Sequence, residues 1–180
     1  MSKTTHKLTR REQGFTIIEV MIVLAIAALI LLAVFLAIPN LQRASRNSGR
    51  KADAGRIGTA ATNFAGNNNG SLPVSAADAT TVKTDAGALA QFTLAGAGDG
   101  TVACAAATGS TAANANTLFM CKGAAITLAQ PAASTDFMVL ADIAQCGSGA
   151  GAMVTGTARQ MALFYTQETS SQPTWACLNL

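Results

Sequence analysis

"EQGFTIIEVMIVLAIAALILLAVFLAIPN", residues 12–40, decides how this chain is organised. From Phe15 to Ile38 only Thr16 and Glu19 are polar. As a helix rising about 1.5 Å per residue, such a run reaches about 36 Å, enough to cross the roughly 30 Å hydrocarbon core of a bilayer. A cleaved secretory signal fits poorly. Its apolar region is only about 7–15 residues long and ends at an A-x-A-like site, whereas this run is longer and ends in Ile38-Pro39-Asn40. A plain signal anchor would take its orientation from flanking basic residues. Here Lys3, Lys7, Arg10 and Arg11 precede the run, and Arg43, Arg46, Arg50, Lys51 and Arg56 follow it, so loop charge does not decide which end is cytoplasmic.

Glu19 is the discordant residue. A carboxylate within a membrane span costs about 2.5–3.5 kcal/mol at mid-helix and less near an end. It either snorkels toward the headgroups or meets a cation at its own depth. Cutting between Gly14 and Phe15 would make that cation, a new α-amino group at the start of the helix. The amine serves its own Glu19 poorly, because the two are held about a turn apart with the side chain committed to one face. It can serve the Glu19 of a neighbouring subunit shifted along the axis.

A short basic leader ending in Gly14, then Phe15-Thr16-Ile17-Ile18-Glu19, then an unbroken apolar helix resembles the class III signal of type IV prepilins. The likeness spans about residues 8–40, and the rest of the chain agrees in architecture only. It implies cleavage after Gly14 by a prepilin peptidase on the cytoplasmic side, N-methylation of Phe15, and assembly through Phe15 and Glu19 into a helical filament. Leader inside and remainder outside is the orientation it implies. It also implies handling by an inner-membrane pilus assembly machinery with its ATPase, from a single-pass membrane pool to an extracellular filament. Two features depart from the usual pattern. Pro39 lies about three residues later than the helix proline of most type IV pilins, and residues 20–38 contain no glycine.

Apolar helices gain no hydrophobic energy by leaving lipid for a bundle, so packing and polar contacts must drive association. Ala25, Ala27, Ala28, Ala33 and Ala37 permit close approach. A buried Glu19–amine pair then acts as a register device.

Beyond Pro39, which kinks or breaks the helix, Ala54, Ile57, Ala61, Phe64 and Ala65 keep helical spacing to about Gly66. Gly49, Gly55 and Gly58 each weaken this stretch by about 1 kcal/mol relative to alanine. It therefore depends on tertiary packing, with Ile57 and Phe64 expected against a sheet. Arg43–Arg56 is read as a solvated face, or as a contact for anionic headgroups before assembly and for a neighbouring subunit afterwards.

"AGNNNGSLP" (65–73) is turn chemistry; its Asn69-Gly70-Ser71 sequon is common by chance. Residues 74–115, rich in Ala, Gly and Thr, read as a variable surface loop with a strand at Leu89–Leu94. Strand signals follow in "NTLFMCK" (116–122), "AAITLA" (124–129), "DFMVLAD" (136–142), "AMVTG" (152–156) and "MALFYT" (161–166), with short spacings that suit antiparallel hairpins. The layout is α+β: a long N-terminal transmembrane helix spine packed on a C-terminal antiparallel β-sheet, the pilin fold. The expected divisions are 1–14 leader, 15–38 transmembrane and assembly helix, 39–66 soluble half-helix, and 67–180 globular head with αβ-loop, sheet and C-terminal disulfide loop.

The core is light. Of the residues 38 are alanine, and the aromatics are seven phenylalanines, one tyrosine and one tryptophan. Such a domain usually needs staples. Cys104, Cys121, Cys146 and Cys177 lie outside the membrane in the implied orientation, so disulfides are expected. Four cysteines allow three pairings. Pairing sequence neighbours gives Cys104–Cys121 and Cys146–Cys177, and the second resembles the C-terminal disulfide loop of many pilins. No C-x-x-C pair supports zinc, and no other metal or cofactor is expected.

The formal net charge of +3 resides in the first 14 residues, since 15–180 hold equal numbers of basic and acidic side chains. That is no footprint for nucleic acid. The single histidine, His6, lies in the leader, so residues 15–180 hold no Ser-His-Asp or Cys-His set. No P-loop or Rossmann pattern follows a strand, and Asp99-Gly100 suggests a turn rather than a calcium cage. An enzyme is not expected. The first reading is a structural pilus subunit serving adhesion, twitching motility or DNA uptake. A type II secretion pseudopilin or minor pilin shares the same motif, and a monomeric signal-anchored surface binding domain is the reading from another class.

Overall fold

The structure is a computed structural model that describes residues 14–92, 96–97, 104, 117–123, 125–131 and 137–180. The basic leader as far as residue 13 and most of the expected loop at 93–116 lie outside the described residues. The chain forms two compact units, Met1–Leu41 and Gln42–Leu180.

In the first unit the described chain is helical from Ile17 and every side chain from Phe15 to Leu41 is exposed. The helix, α1, runs Ile17–Asn67 and holds Pro39 inside it, so Pro39 does not break it. Proline removes one backbone donor, but a helix this long tolerates one missing rung. Its apolar part is long and apolar enough to cross a membrane.

The second unit is α+β. The remainder of α1 and α2 (Ala76–Ala86) pack with a five-stranded sheet ordered β1-β2-β4-β7-β8: β1 Gly96–Ala97, β2 Thr117–Lys122, β4 Phe137–Asp142, β7 Met161–Gln167 and β8 Thr174–Asn179. A second sheet is ordered β3-β6-β5, with β3 Ile126–Thr127, β6 Ala152–Thr155 and β5 Ala144–Cys146. Period-2 alternation explains the layering. On β4, Met138 and Leu140 join Ile57, Ala61, Val82 and Phe92 in one core. Phe137, Val139 and Ala141 point the other way, into a core with Leu128, Met153, Phe164 and Trp175. A strand covered on both faces has no polar face to show, which is why "FMVLA" and "MALFYT" read as unbroken apolar runs.

Several expectations need correction. Alternating hairpins do not build the whole sheet: β1–β2 and β2–β4 are parallel, while β4–β7 and β7–β8 are antiparallel. Chain connections permit this because fourteen residues (123–136) separate β2 from β4, enough for a crossover. Part of the supposed surface loop is helix α2, started by a capping box in which Ser75 accepts from the Asp78 N–H and Asp78 accepts from the Ser75 N–H. Leu89–Phe92 is not strand, and 93–95 lie outside the described residues. The strands β1, β5 and β8 lie outside the strands that the sequence predicts.

Ile57 is fully buried and Phe64 packs at the edge of the same core. One glycine of α1, Gly58, has a packing reason. A Cβ on Gly58 would stand 2.6 Å from the Leu180 side chain, so glycine admits the C-terminal strand against the helix.

Candidate functional site

The site is the start of α1. Gly14, Phe15 and Thr16 precede the first helical residue, and Phe15 is 88% exposed. An α-helix leaves its first backbone N–H groups without helical partners. Here Thr16 is the N-cap and Glu19 the third helical residue. Glu19 N–H donates to Thr16 Oγ1 at 3.3 Å, and Thr16 N–H donates to Glu19 Oε2 at 3.2 Å. The Thr16 hydroxyl donates to the same oxygen at 3.1 Å. This is a reciprocal capping box. Its signal, a Thr three residues before a Glu ahead of an apolar run, stands in the sequence, but reading Glu19 only as a charge passes over it.

Phe15, Glu19, Val20, Val23 and Leu24 lie side by side on one exposed face of the helix start. Phe15 precedes the cap and Val20 is the fourth helical residue, the two positions of a hydrophobic staple. That face is apolar except for one carboxylate. The structure therefore brings Phe15 and Glu19 together on one face; Gly14 lies beside them in sequence, and a Cβ there would meet nothing within 4 Å.

Pro39 and the four cysteines lie elsewhere. Cys104–Cys121 and Cys146–Cys177 are disulfides. The first has both cysteines buried, and the second, joining β5 to β8, is half-buried. Among the described residues no group of His, Cys, Asp and Glu could hold a metal ion.

The arginines after the apolar run are neither a bare solvated face nor reserved for headgroups. Arg46 forks onto Glu168, Nη2 to Oε2 at 2.7 Å and Nε to Oε2 at 2.9 Å. Arg50 donates to Thr166 and stacks over the Phe92 ring at 5.2 Å. Arg43 donates to Thr169 O and Arg56 to Ala88 O. Buried Asp53 accepts from the N–H groups of Ala90, Gln91 and Phe92. These side chains fasten α1 to its own domain. The Arg46 hydrogen bond holds the Glu168 carboxyl below its ordinary range, and the same bond raises the Arg46 guanidinium.

Residues 9–35 match the family model described as the prokaryotic N-terminal methylation motif. The chain carries a type IV pilin-like prepilin signal of class III. No curated protein and no solved structure matches the chain. The match covers the N-terminal signal and the start of the apolar helix, and the α+β head agrees with the pilin fold. The motif implies processing by a prepilin peptidase, and with the long apolar helix it supports membrane anchoring before assembly.

Proposed function

We propose that this chain is a structural subunit of a type IV pilus. The leader, residues 1–14, is removed between Gly14 and Phe15, and Phe15 is N-methylated. The helix 15–38 holds the subunit in the membrane and then packs in the filament core. Residues 39–66 carry the helix into the head, 67–180, and Pro39 is the kink between the two halves. Glu19 receives the Phe15 amine of a neighbouring subunit. The observation that carries the reading is a helix with every apolar side chain exposed from Phe15 to Leu41, preceded by the matched methylation motif and holding one carboxylate, Glu19, near its start. Such a surface is stable only in lipid or against other apolar helices. Partners follow from this role: further copies of the chain, the peptidase, and the membrane assembly machinery with its ATPase.

Electron microscopy of sheared surface filaments, with mass spectrometry of their subunit, tests the reading. A filament whose main component starts at N-methyl-Phe15 is expected. Low abundance outside the membrane would favour the pseudopilin or minor-pilin role, and an uncleaved leader on purified protein would favour a signal-anchored binding domain. Gly14→Val puts a branched side chain at the scissile bond and should leave full-length precursor in the membrane. Normal processing of that variant would displace the cleavage assignment.

A further inference from the structure

We infer that Asn69 is a site of spontaneous deamidation gated by the C-terminal cap of α1: the Gly70 nitrogen attacks the Asn69 side chain only when its N–H lets go of the Ala65 carbonyl. The inference stands apart from the pilus reading and needs water alone as co-reactant.

Both residues are demanded by the turn. α1 ends at Asn67, and the last carbonyls of a helix have no helical partners. The Gly70 N–H reaches back to Ala65 O at 2.8 Å, and the Asn68 N–H donates to Phe64 O at 3.0 Å. The first is the six-to-one bond of a Schellman cap, which places a left-handed residue just before its donor. Asn69 fills that place at φ 54°, and Gly70 follows at φ 80°. Asparagine tolerates the left-handed region better than most side chains, and glycine enters it without strain. The geometry thus selects Asn-Gly, and 69–70 is the one such step in the chain.

The same pair is chemically labile. Glycine has no side chain to shield its nitrogen, and attack on the preceding asparagine closes a five-membered ring. Gly70 N gives up its proton and bonds to Asn69 Cγ. The Cγ–Nδ2 bond breaks, and the amide nitrogen leaves as ammonia with that proton. Water then opens the imide. Breaking the bond from Cγ to Gly70 N leaves aspartate. Breaking the bond from the main-chain carbonyl carbon instead leaves isoaspartate, with the backbone routed through the side chain. One water is consumed, one ammonia is released, and nothing is oxidised or reduced. Asn69 and Gly70 are both exposed, so water reaches them.

The fold sets the rate. A nitrogen whose hydrogen is held by a carbonyl becomes a nucleophile only after that bond opens. Helix ends open at small cost, so the cap slows the reaction rather than forbidding it. The product alters the surface. Side-chain charges over 15–180 sum to zero, and conversion adds one negative charge. It arises next to Arg159, whose Nε and Cζ would stand 4.0 Å from a Cβ on Gly70.

Peptide mapping of the full-length protein tests this, with one sample folded in detergent micelles and one reduced and unfolded in guanidinium at the same mildly alkaline pH. Conversion of Asn69, seen as the amide-to-acid mass change and as an isoaspartyl peptide, is expected in both. It should be slower in the folded sample by roughly two- to tenfold, the worth of one net backbone hydrogen bond. Hydrogen exchange at the Gly70 amide should show protection of the same size. Asn69→Gly keeps the left-handed turn and should lose the early acidic form on isoelectric focusing. No conversion at Asn69 in the unfolded sample would overturn the site, as would equal conversion at Asn67 and Asn68. Equal rates in the folded and unfolded samples would overturn the gate.

Discussion

Asn47 grips the backbone of Glu168 with both ends of its side-chain amide. Nδ2 donates to the Glu168 carbonyl at 2.7 Å, and the Glu168 N–H donates to Oδ1 at 2.8 Å. An asparagine on α1 thus stands in for a strand neighbour at the end of β7, where the chain turns toward β8. The flanking Arg43, Arg46 and Arg50 bind the same stretch. Asn47→Ala removes both bonds and leaves two half-buried backbone groups to find water. At about 0.5–1.5 kcal/mol per bond, roughly 1–3 kcal/mol should go. Urea unfolding in detergent, followed by Trp175 fluorescence, checks it; an unmoved midpoint would show that water replaces the amide at no cost.

Acid should loosen the same junction through Glu168. Its carboxyl sits below the ordinary range when folded, chiefly because Arg46 bonds it. Unfolding returns it to the ordinary value, so the unfolded chain takes up the proton first as pH falls. The contribution is complete above the ordinary carboxylate range and is lost as pH drops through the folded value. Asp142 opposes this, since burial raises its carboxyl and its contribution is lost as pH rises instead. Glu168→Gln should therefore flatten the acid limb of the stability curve and leave the Asp142 trend visible. Parallel curves for variant and wild type would mean that the Arg46 fork is screened to nothing.

How far the sequence speaks depends on where each element draws its stability. The strands β4 and β7 are legible because both of their faces are buried, which demands runs such as Phe137–Ala141 and Met161–Tyr165. β8 is not, because only Trp175 in it is buried, and polar Thr174 and Asn179 at its ends cut the apolar run to four residues. β5 is three residues long and follows Ile143 at φ 49°, a bulge-like step that no local pattern announces. α2 has few apolar residues, and its Ser75–Asp78 capping box is the stronger local signal. At the candidate site, the apolar run and its acid point to Phe15 and Glu19. Thr16 acts through a bond to Glu19, and only the capping spacing reports it. The fastening role of Arg46 and Arg50 was illegible, because Glu168 lies more than a hundred residues away in sequence.

The two disulfides should differ in ease of reduction. Both tie loops, with sequence separations of 17 and 31, and each is worth roughly 3–4 kcal/mol in the chain-entropy model. Access separates them. Cys104 and Cys121 are buried in the second core, whereas Cys146 and Cys177 keep partial exposure. A thiolate must reach sulfur to exchange. Mild phosphine or thiol treatment of the folded protein should open Cys146–Cys177 first, seen by alkylation and peptide mapping. Equal rates would show that global unfolding precedes either reduction.

Glu19→Ala should abolish filaments and spare the head. Among the described residues the Glu19 carboxylate bonds to Thr16. The head's cores and both disulfides are built from residues beyond Leu41. The variant should therefore be membrane-inserted, disulfide-bonded and as resistant to protease in its head as wild type. Insertion should improve if anything, because a carboxylate leaves the apolar span. Assembly faces the opposite balance. An incoming subunit would bring its Phe15 amine into a bundle with no acceptor, and removing one partner of a buried ion pair costs about 3–5 kcal/mol, more than a hundredfold in equilibrium. Loss of the cap adds about 1 kcal/mol. The comparison needs surface filaments and the membrane pool from the same cells, with Glu19→Gln alongside. Filament loss in Glu19→Ala but not in Glu19→Gln would assign the defect to the cap alone, and loss in both assigns it to charge. A wild-type yield from Glu19→Ala would return the carboxylate to the headgroups, where it snorkels without a partner.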